Sequence, residues 1–259
     1  VALVGHSGSG KTMLAEAMLF KGGEISRLGK VNDGTTTSDF DLDEKEGKKS
    51  VYSSLLHVPW KGRDINLIDT PGSADFIGQV YGALSVTELA LITVNAAAGI
   101  EVGTRKAWEL VKRQGIACIF VITRTDAENA HFEEVVSTLQ DTFGASCTPL
   151  MLPVGSGSSF SGVVNPLSPS AIPDAMQEFV ETQRGILMES IISGDDALLE
   201  RYLEGESIAP AELESVLSPA LAERTIIPIL CCASEQDRGI AELLDILAAY
   251  APSPACAKR

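Results

Sequence analysis

Six apolar runs of strand length, at residues 1–4, 51–58, 65–68, 89–94, 116–122 and 226–230, punctuate the chain. Between them, residues 13–20, 104–114, 132–143 and 240–250 repeat their apolar side chains at the three- and four-residue spacing of a helix with one buried face. Apolar runs alternating with amphipathic helices predict an α/β fold, with a mostly parallel, doubly wound sheet carrying helices on both faces. The rhythm breaks near residue 153. A Gly/Ser run at 155–162 and the prolines Pro166, Pro169 and Pro173 lead into helical patterns at 175–192, 195–203 and 211–222. Strand 226–230 then resumes the parent pattern. The expected organisation is one α/β domain, residues 1–152 and 226–259, interrupted by an inserted α-rich subdomain at 153–225. Ala251-Pro252-Ser253-Pro254 reads as the start of a linker, so the chain is expected to be cut from a longer protein whose downstream domains are absent.

Of 259 residues, 45% are hydrophobic, which is enough to build a packed core and excludes a disordered chain. Lys and Arg number 20 against 35 Asp and Glu, a net charge of −15. Strong direct nucleic-acid binding is not expected of such a chain, because phosphate surfaces are held by Lys and Arg. The excess is concentrated in residues 174–224, which hold twelve acidic and three basic residues, net −9. That stretch is either a solvated helical face or a protein-docking one. No membrane association is expected, since the longest mainly apolar stretch, 89–100, falls short of the roughly 18 to 20 residues that span a bilayer. Without a basic segment and apolar run at its start, the chain is read as cytoplasmic, and as a monomer. Cys118, Cys147, Cys231, Cys232 and Cys256 form no C-x-x-C pair and are read as reduced thiols. His6, His57 and His131 have no metal-ligand spacing to one another.

Gly5-His6-Ser7-Gly8-Ser9-Gly10-Lys11-Thr12 fits G-x-x-x-x-G-K-[ST], follows a strand and opens a helix. Glycines there let backbone N–H groups turn inward around phosphates, and the helix N-terminus adds its positive end. Residues 6–12 are therefore expected to bind a nucleotide, making the fold that of a P-loop NTPase. Lys11 would reach the β- and γ-phosphates, and the Thr12 hydroxyl would coordinate Mg²⁺. Strand 65–68 ends in Asp69-Thr70-Pro71-Gly72. A carboxylate there lies on the same sheet edge as the phosphate loop, so Asp69 is a Mg²⁺-side candidate, and the Gly72 N–H a partner for a γ-phosphate. An ordinary turn after a strand remains the alternative for this tetrapeptide.

With Ser73-Ala74-Asp75-Phe76 following that turn, the chain resembles the translational GTPases, and among them elongation factor G and its elongation-factor-G-like paralogues. Gly34-Thr35-Thr36-Thr37-Ser38-Asp39, Ala97-Ala98-Gly99-Ile100-Glu101-Val102 and Asp126-Ala127-Glu128-Asn129 carry the same resemblance, which runs over nearly the whole chain. It implies a GTP-binding domain for GTP or GDP with Mg²⁺, working on the ribosome, its inserted subdomain meeting the ribosomal stalk protein. The family reads guanine with Asn-Lys-x-Asp; Thr123-Arg124-Thr125-Asp126 stands at that place. Asp126 would pair with the guanine N1–H and N2–H₂, and Arg124 would lie along the base; an N-cap or turn role is the alternative for Asp126. Ala233-Ser234 matches the loop whose backbone N–H meets guanine O6. Ser50 matches the switch hydroxyl that completes the Mg²⁺ shell, with Thr12 and Asp69. Lys11, Gly72 and Ser73 are the catalytic candidates. Ser73 stands where translocating members carry a water-orienting His, so hydrolysis is expected to be slow; Gly8 stands where they carry an acid, which bears on cation binding near the phosphates. The resemblance leaves open a nucleotide-dependent docking module with little turnover, and an adenine-nucleotide enzyme.

Overall fold

The computed structural model describes residues 1–167, 172–206 and 208–256. Strand β1 (Ala2–Gly5) runs through the phosphate loop into helix α1 (Lys11–Gly22). A long connection carrying the short helix α2 (Leu42–Gly47) leads to β2 (Ser54–Trp60) and β3 (Arg63–Asp69). Next come α3 (Ile77–Leu84), β4 (Leu89–Asn95), α4 (Val102–Gln114), β5 (Ala117–Thr123), α5 (Phe132–Phe143) and β6 (Cys147–Pro149). A separate hairpin, β7 (Leu152–Val154) with β8 (Gly162–Val164), precedes helices α6 (Gln177–Ile192), α7 (Asp196–Leu203) and α8 (Pro210–Glu223). The chain closes with β9 (Ile227–Cys231) and α9 (Ile240–Tyr250).

Seven strands form one sheet in the order β2-β3-β1-β4-β5-β9-β6, parallel except for β2. The central strands are buried along nearly their whole length, which is why their sequence reads as continuous apolar runs. On one face α1 packs against α9, and α9 against α8. On the other, α3 packs against α4, whose Trp108 joins Phe120 of β5 and Phe143 of α5 in a cluster with ring centroids 5.0 to 5.8 Å apart. This is the α/β doubly wound architecture expected. Parallel register sets Leu3 opposite Asp69, Gly5 opposite Thr93 and Asn95 opposite Thr123, so the strand ends bearing the candidate residues share one edge.

The expected strand at 51–58 is displaced. The N–H groups of Val51 and Tyr52 donate to Glu44 Oε1, at 2.9 and 3.1 Å, so those donors serve a buried carboxylate instead of a ladder. The strand starts at Ser54 and continues to Trp60, where Lys61 and Gly62, with φ of 47° and 75°, make the tight left-handed turn into β3. The sheet also gains β6, and α2 and α3 fall where no helix is expected. Helices 175–192, 195–203 and 211–222 are found with ends shifted by up to two residues. Asp195 caps α7, its carboxylate accepting from the N–H groups of Ala197 and Leu198. Pro169 lies outside the described residues. Cys118, Cys147, Cys231 and Cys232 are buried and free, and burial pushes the thiols of Cys118, Cys147 and Cys232 up to about 12. No helix among the described residues is long and apolar enough to cross a membrane.

Candidate functional site

Between β1 and α1 the loop turns over the sheet edge. Gly10 has φ 92°, and a Cβ there would stand 3.1 Å from Thr123 Oγ1 of β5, so both the backbone and the space ask for glycine. Ser9 Oγ donates to the His6 carbonyl at 2.8 Å and lies 2.6 Å from Thr93 Oγ1, tying the loop to β4. Lys11 Nζ folds back under the loop and donates to the carbonyls of Gly5 and His6, at 3.2 and 2.8 Å. Burial lowers the Lys11 pKa to about 8, against the opposing pull of Asp69 and Asp39. A buried ammonium beneath a loop that ends in a helix N-terminus is built for an anion.

Thr12 Oγ1 donates to Asp69 Oδ2 at 2.8 Å and lies 3.1 Å from Ser50 Oγ. Three candidates from distant parts of the sequence thus meet at one point. Asp69 is buried, which raises its pKa to about 6 despite Lys11 and the Thr12 hydrogen bond. Its Oδ1 has no hydrogen-bond partner, and neither has either oxygen of Asp39, which is 3% exposed. Burial raises the Asp39 carboxyl too. Orphaned buried oxygens beside two hydroxyls are an all-oxygen donor set that fits a small hard dication.

Asp39 closes the 34–39 stretch that carries the resemblance, but a single acid among Thr and Ser has no periodic signal to mark it as a site residue. Its position follows from Glu16, buried on α1, whose carboxylate accepts the N–H groups of Gly29 and Thr37 at 3.1 and 2.8 Å. Those two bonds hold the 29–37 segment over the phosphate loop.

A cleft of about 410 Å³ runs from Lys49 and Ser50, past Gly10, Lys11 and Gly72, to Arg124 and Glu235. Its lining holds Lys11, Lys30, Lys48, Lys49 and Arg124 against Asp33, Asp39 and Glu235, so this cleft is cationic in an acidic protein. Ser7, Gly8, Thr12 and Ser73 line it as well. Gly72 passes so close that a Cβ would stand 2.5 Å from Lys11 Nζ and 2.6 Å from the Ser7 nitrogen. Ser73 Oγ is turned aside and donates to Asp75 Oδ2 at 3.1 Å.

At the other end Thr123, though lacking an amide, reaches the phosphate loop with its hydroxyl, which donates to the Ser9 carbonyl at 2.7 Å. Arg124 adopts φ 56° and is exposed. Asp126 Oδ2 accepts a hydrogen bond from Gln236 Nε2 at 2.8 Å, linking the two loops expected to meet the base. The Ala233 N–H is already given to the Arg238 carbonyl at 3.0 Å, and those of Gln236, Asp237 and Arg238 go to carbonyls of the same turn, so of the two residues expected to meet the base only Ser234 keeps its N–H for one.

The His6 ring faces α4. Its Nδ1 accepts the Gly103 N–H at 3.2 Å, which leaves the proton on Nε2, 3.3 Å from Glu101 Oε1. What His6 offers Lys11 is its carbonyl.

The family model described as the elongation factor Tu GTP binding domain matches residues 1–253. Elongation factor G of Thermotoga neapolitana is 33% identical, covering 98% of this chain and 39% of that protein. An elongation factor G-like protein of Thermotoga maritima is 34% identical, covering 98% of this chain and 38% of its own length. A crystal structure of a Thermus thermophilus protein superposes with a TM-score of 0.92 at 33% identity, over 98% of this chain and 40% of that one. The chain spans about two fifths of the length of these relatives. A match covering nearly every residue makes the resemblance a membership: the chain belongs to the elongation factor Tu GTP binding domain family.

Proposed function

We propose that this chain is the GTP-binding domain of an elongation-factor-G-like translation factor, which binds GTP or GDP with Mg²⁺ in the cationic cleft and hydrolyses GTP slowly. The observation that carries the reading is the meeting of Thr12, Ser50 and Asp69 beside buried Lys11. Lys11 exchanges its carbonyl partners for phosphate oxygens, and the loop N–H groups cradle the α- and β-phosphates. Thr12, Ser50 and Asp69 would hold Mg²⁺, with Asp39 as a further oxygen donor, and the ion would supply positive charge against that of the phosphates. The Gly72 N–H faces the γ-phosphate. Segments 31–50 and 70–81 order around it and loosen after hydrolysis. Asp126 reads the guanine N1–H and N2–H₂, a pattern adenine does not offer.

Slow turnover follows from Ser73. Its hydroxyl is short, weakly basic and already engaged by Asp75, so charge stabilisation remains while water placement is weak. In single-turnover assays with and without ribosomes, Ser73→His should speed GTP hydrolysis by about tenfold or more. An unchanged rate sinks the argument. The Ser73–Asp75 bond also favours a second reading, nucleotide-controlled docking with little turnover, in which GTP stays intact on ribosomes for hours.

Residues 153–225 are read as an inserted subdomain of a cytoplasmic, monomeric factor. Their acidic excess supports docking to the ribosomal stalk protein. Neutralising the acidic surface should weaken stalk binding, and unchanged binding would return that face to a merely solvated one.

A further inference from the structure

We infer that Gln236 is a positioning residue that aims Asp126 at the guanine base, a role resting on the reading of this cleft as a guanine-nucleotide site. Asp126 sits on the loop after β5, half-buried, with only its own two torsions to orient it. The neighbouring base loop has no obvious helper at its start. Ala233 has no side-chain donor, and the Ser234 hydroxyl is buried and turned toward Cys232 Sγ at 3.9 Å. The donor comes instead from Gln236, whose Nε2 lies 2.8 Å from Asp126 Oδ2. An ionised carboxylate only accepts hydrogen bonds, so it is the amide nitrogen that faces it.

The turn presenting Gln236 is fixed from several directions. Residues Ser234–Gln236 form one turn of 3-10 helix closed by paired backbone bonds between Ala233 and Arg238, at 3.0 and 3.2 Å. Lys21 of α1 pairs with Asp237 at 2.7 Å. The Arg238 guanidinium donates to the carbonyl of Phe160, a buried residue between β7 and β8. Gln236, itself exposed, therefore reaches Asp126 from a turn whose backbone is held on several sides. Its amide occupies one lone-pair direction of Oδ2, and a carboxylate has about four such directions, so the base edge can still be bound. Holding Asp126 in its binding rotamer before the nucleotide arrives removes part of the ordering cost of binding.

The test compares GDP with inosine diphosphate, whose base keeps N1–H but lacks the exocyclic amine. Affinities are measured for the unsubstituted chain and for Gln236→Ala, Gln236→Glu and Asp126→Ala, with thermal melts to establish that each variant is folded. Gln236→Ala should weaken GDP by about tenfold and inosine diphosphate less, narrowing the ratio between them, because a misaimed carboxylate loses its paired contact first. Gln236→Glu, which sets a second negative charge against Asp126, should weaken GDP further. Equal losses for both nucleotides would mean a general structural role and overturn the inference, as would no loss or a gain with Gln236→Ala. Asp126→Ala separates the two levels. If it leaves GDP affinity unchanged, the guanine reading itself fails; if it abolishes the GDP preference while Gln236→Ala does nothing, only the role of Gln236 is lost.

Discussion

Replacing Lys11 with methionine lowers the affinity for GDP in the presence of Mg²⁺ by at least about a hundredfold, because the site loses its buried cation and keeps its carboxylates. Methionine retains most of the apolar stem, so the change is electrostatic first. Lys11 is 5% exposed, and its ammonium contacts two loop carbonyls, partners that a phosphate oxygen readily replaces. With it gone, Asp69 and Asp39 remain buried without the ammonium whose charge opposes theirs. Fluorescence titration with a labelled guanine nucleotide reads the loss, and a melt without nucleotide shows whether the fold survives. A variant that binds GDP as tightly as the parent would remove Lys11 from the site.

Gly72→Ala should separate GTP from GDP. The backbone at Gly72 needs no left-handed conformation; what it lacks is room. A methyl group there would stand 2.6 Å from the nitrogen and 2.7 Å from the Cα of Ser7, backbone atoms of the phosphate loop that cannot step aside cheaply. The segment after Asp69 must therefore withdraw, taking its N–H from the γ-phosphate position. GTP affinity should fall by roughly thirtyfold and single-turnover hydrolysis by about a hundredfold, while GDP, which has no γ-phosphate, changes little. Equal loss of both nucleotides would show that the phosphate loop itself had been distorted.

How much of this was legible in the sequence depended on whether the signal was local. The phosphate loop is contiguous and sits between a strand and a helix, so Gly5 to Thr12 could be read directly, and Asp69 by its place at the end of an apolar run. Strand β6 could not, since three residues carry no period and pair only because β9 lies beside them. Gly78 and Gly82 blurred the helical pattern of α3. The late start of β2 depended on Glu44, a side chain competing for backbone donors from seven residues away. Glu16 and Gln236 belong to the same class. Each acts through a hydrogen bond to a residue well away in sequence, 110 residues for Gln236 and Asp126, and no spacing rule connects such pairs. Ser50 carries no local signal of its own; the hydroxyl of Thr12 stands 3.1 Å from it.

If Lys11, Thr12, Asp69 and Asp126 together take one guanine nucleotide with Mg²⁺, binding depends on both the base and the metal. Calorimetric titration of the nucleotide-free chain with GDP and then ADP, in Mg²⁺ and again in chelator, tests it most directly. One site per chain is expected, with GDP at least about a hundredfold tighter than ADP and GDP binding weaker when Mg²⁺ is removed. Equal affinity for the two nucleotides, or no binding of GDP, would contradict it.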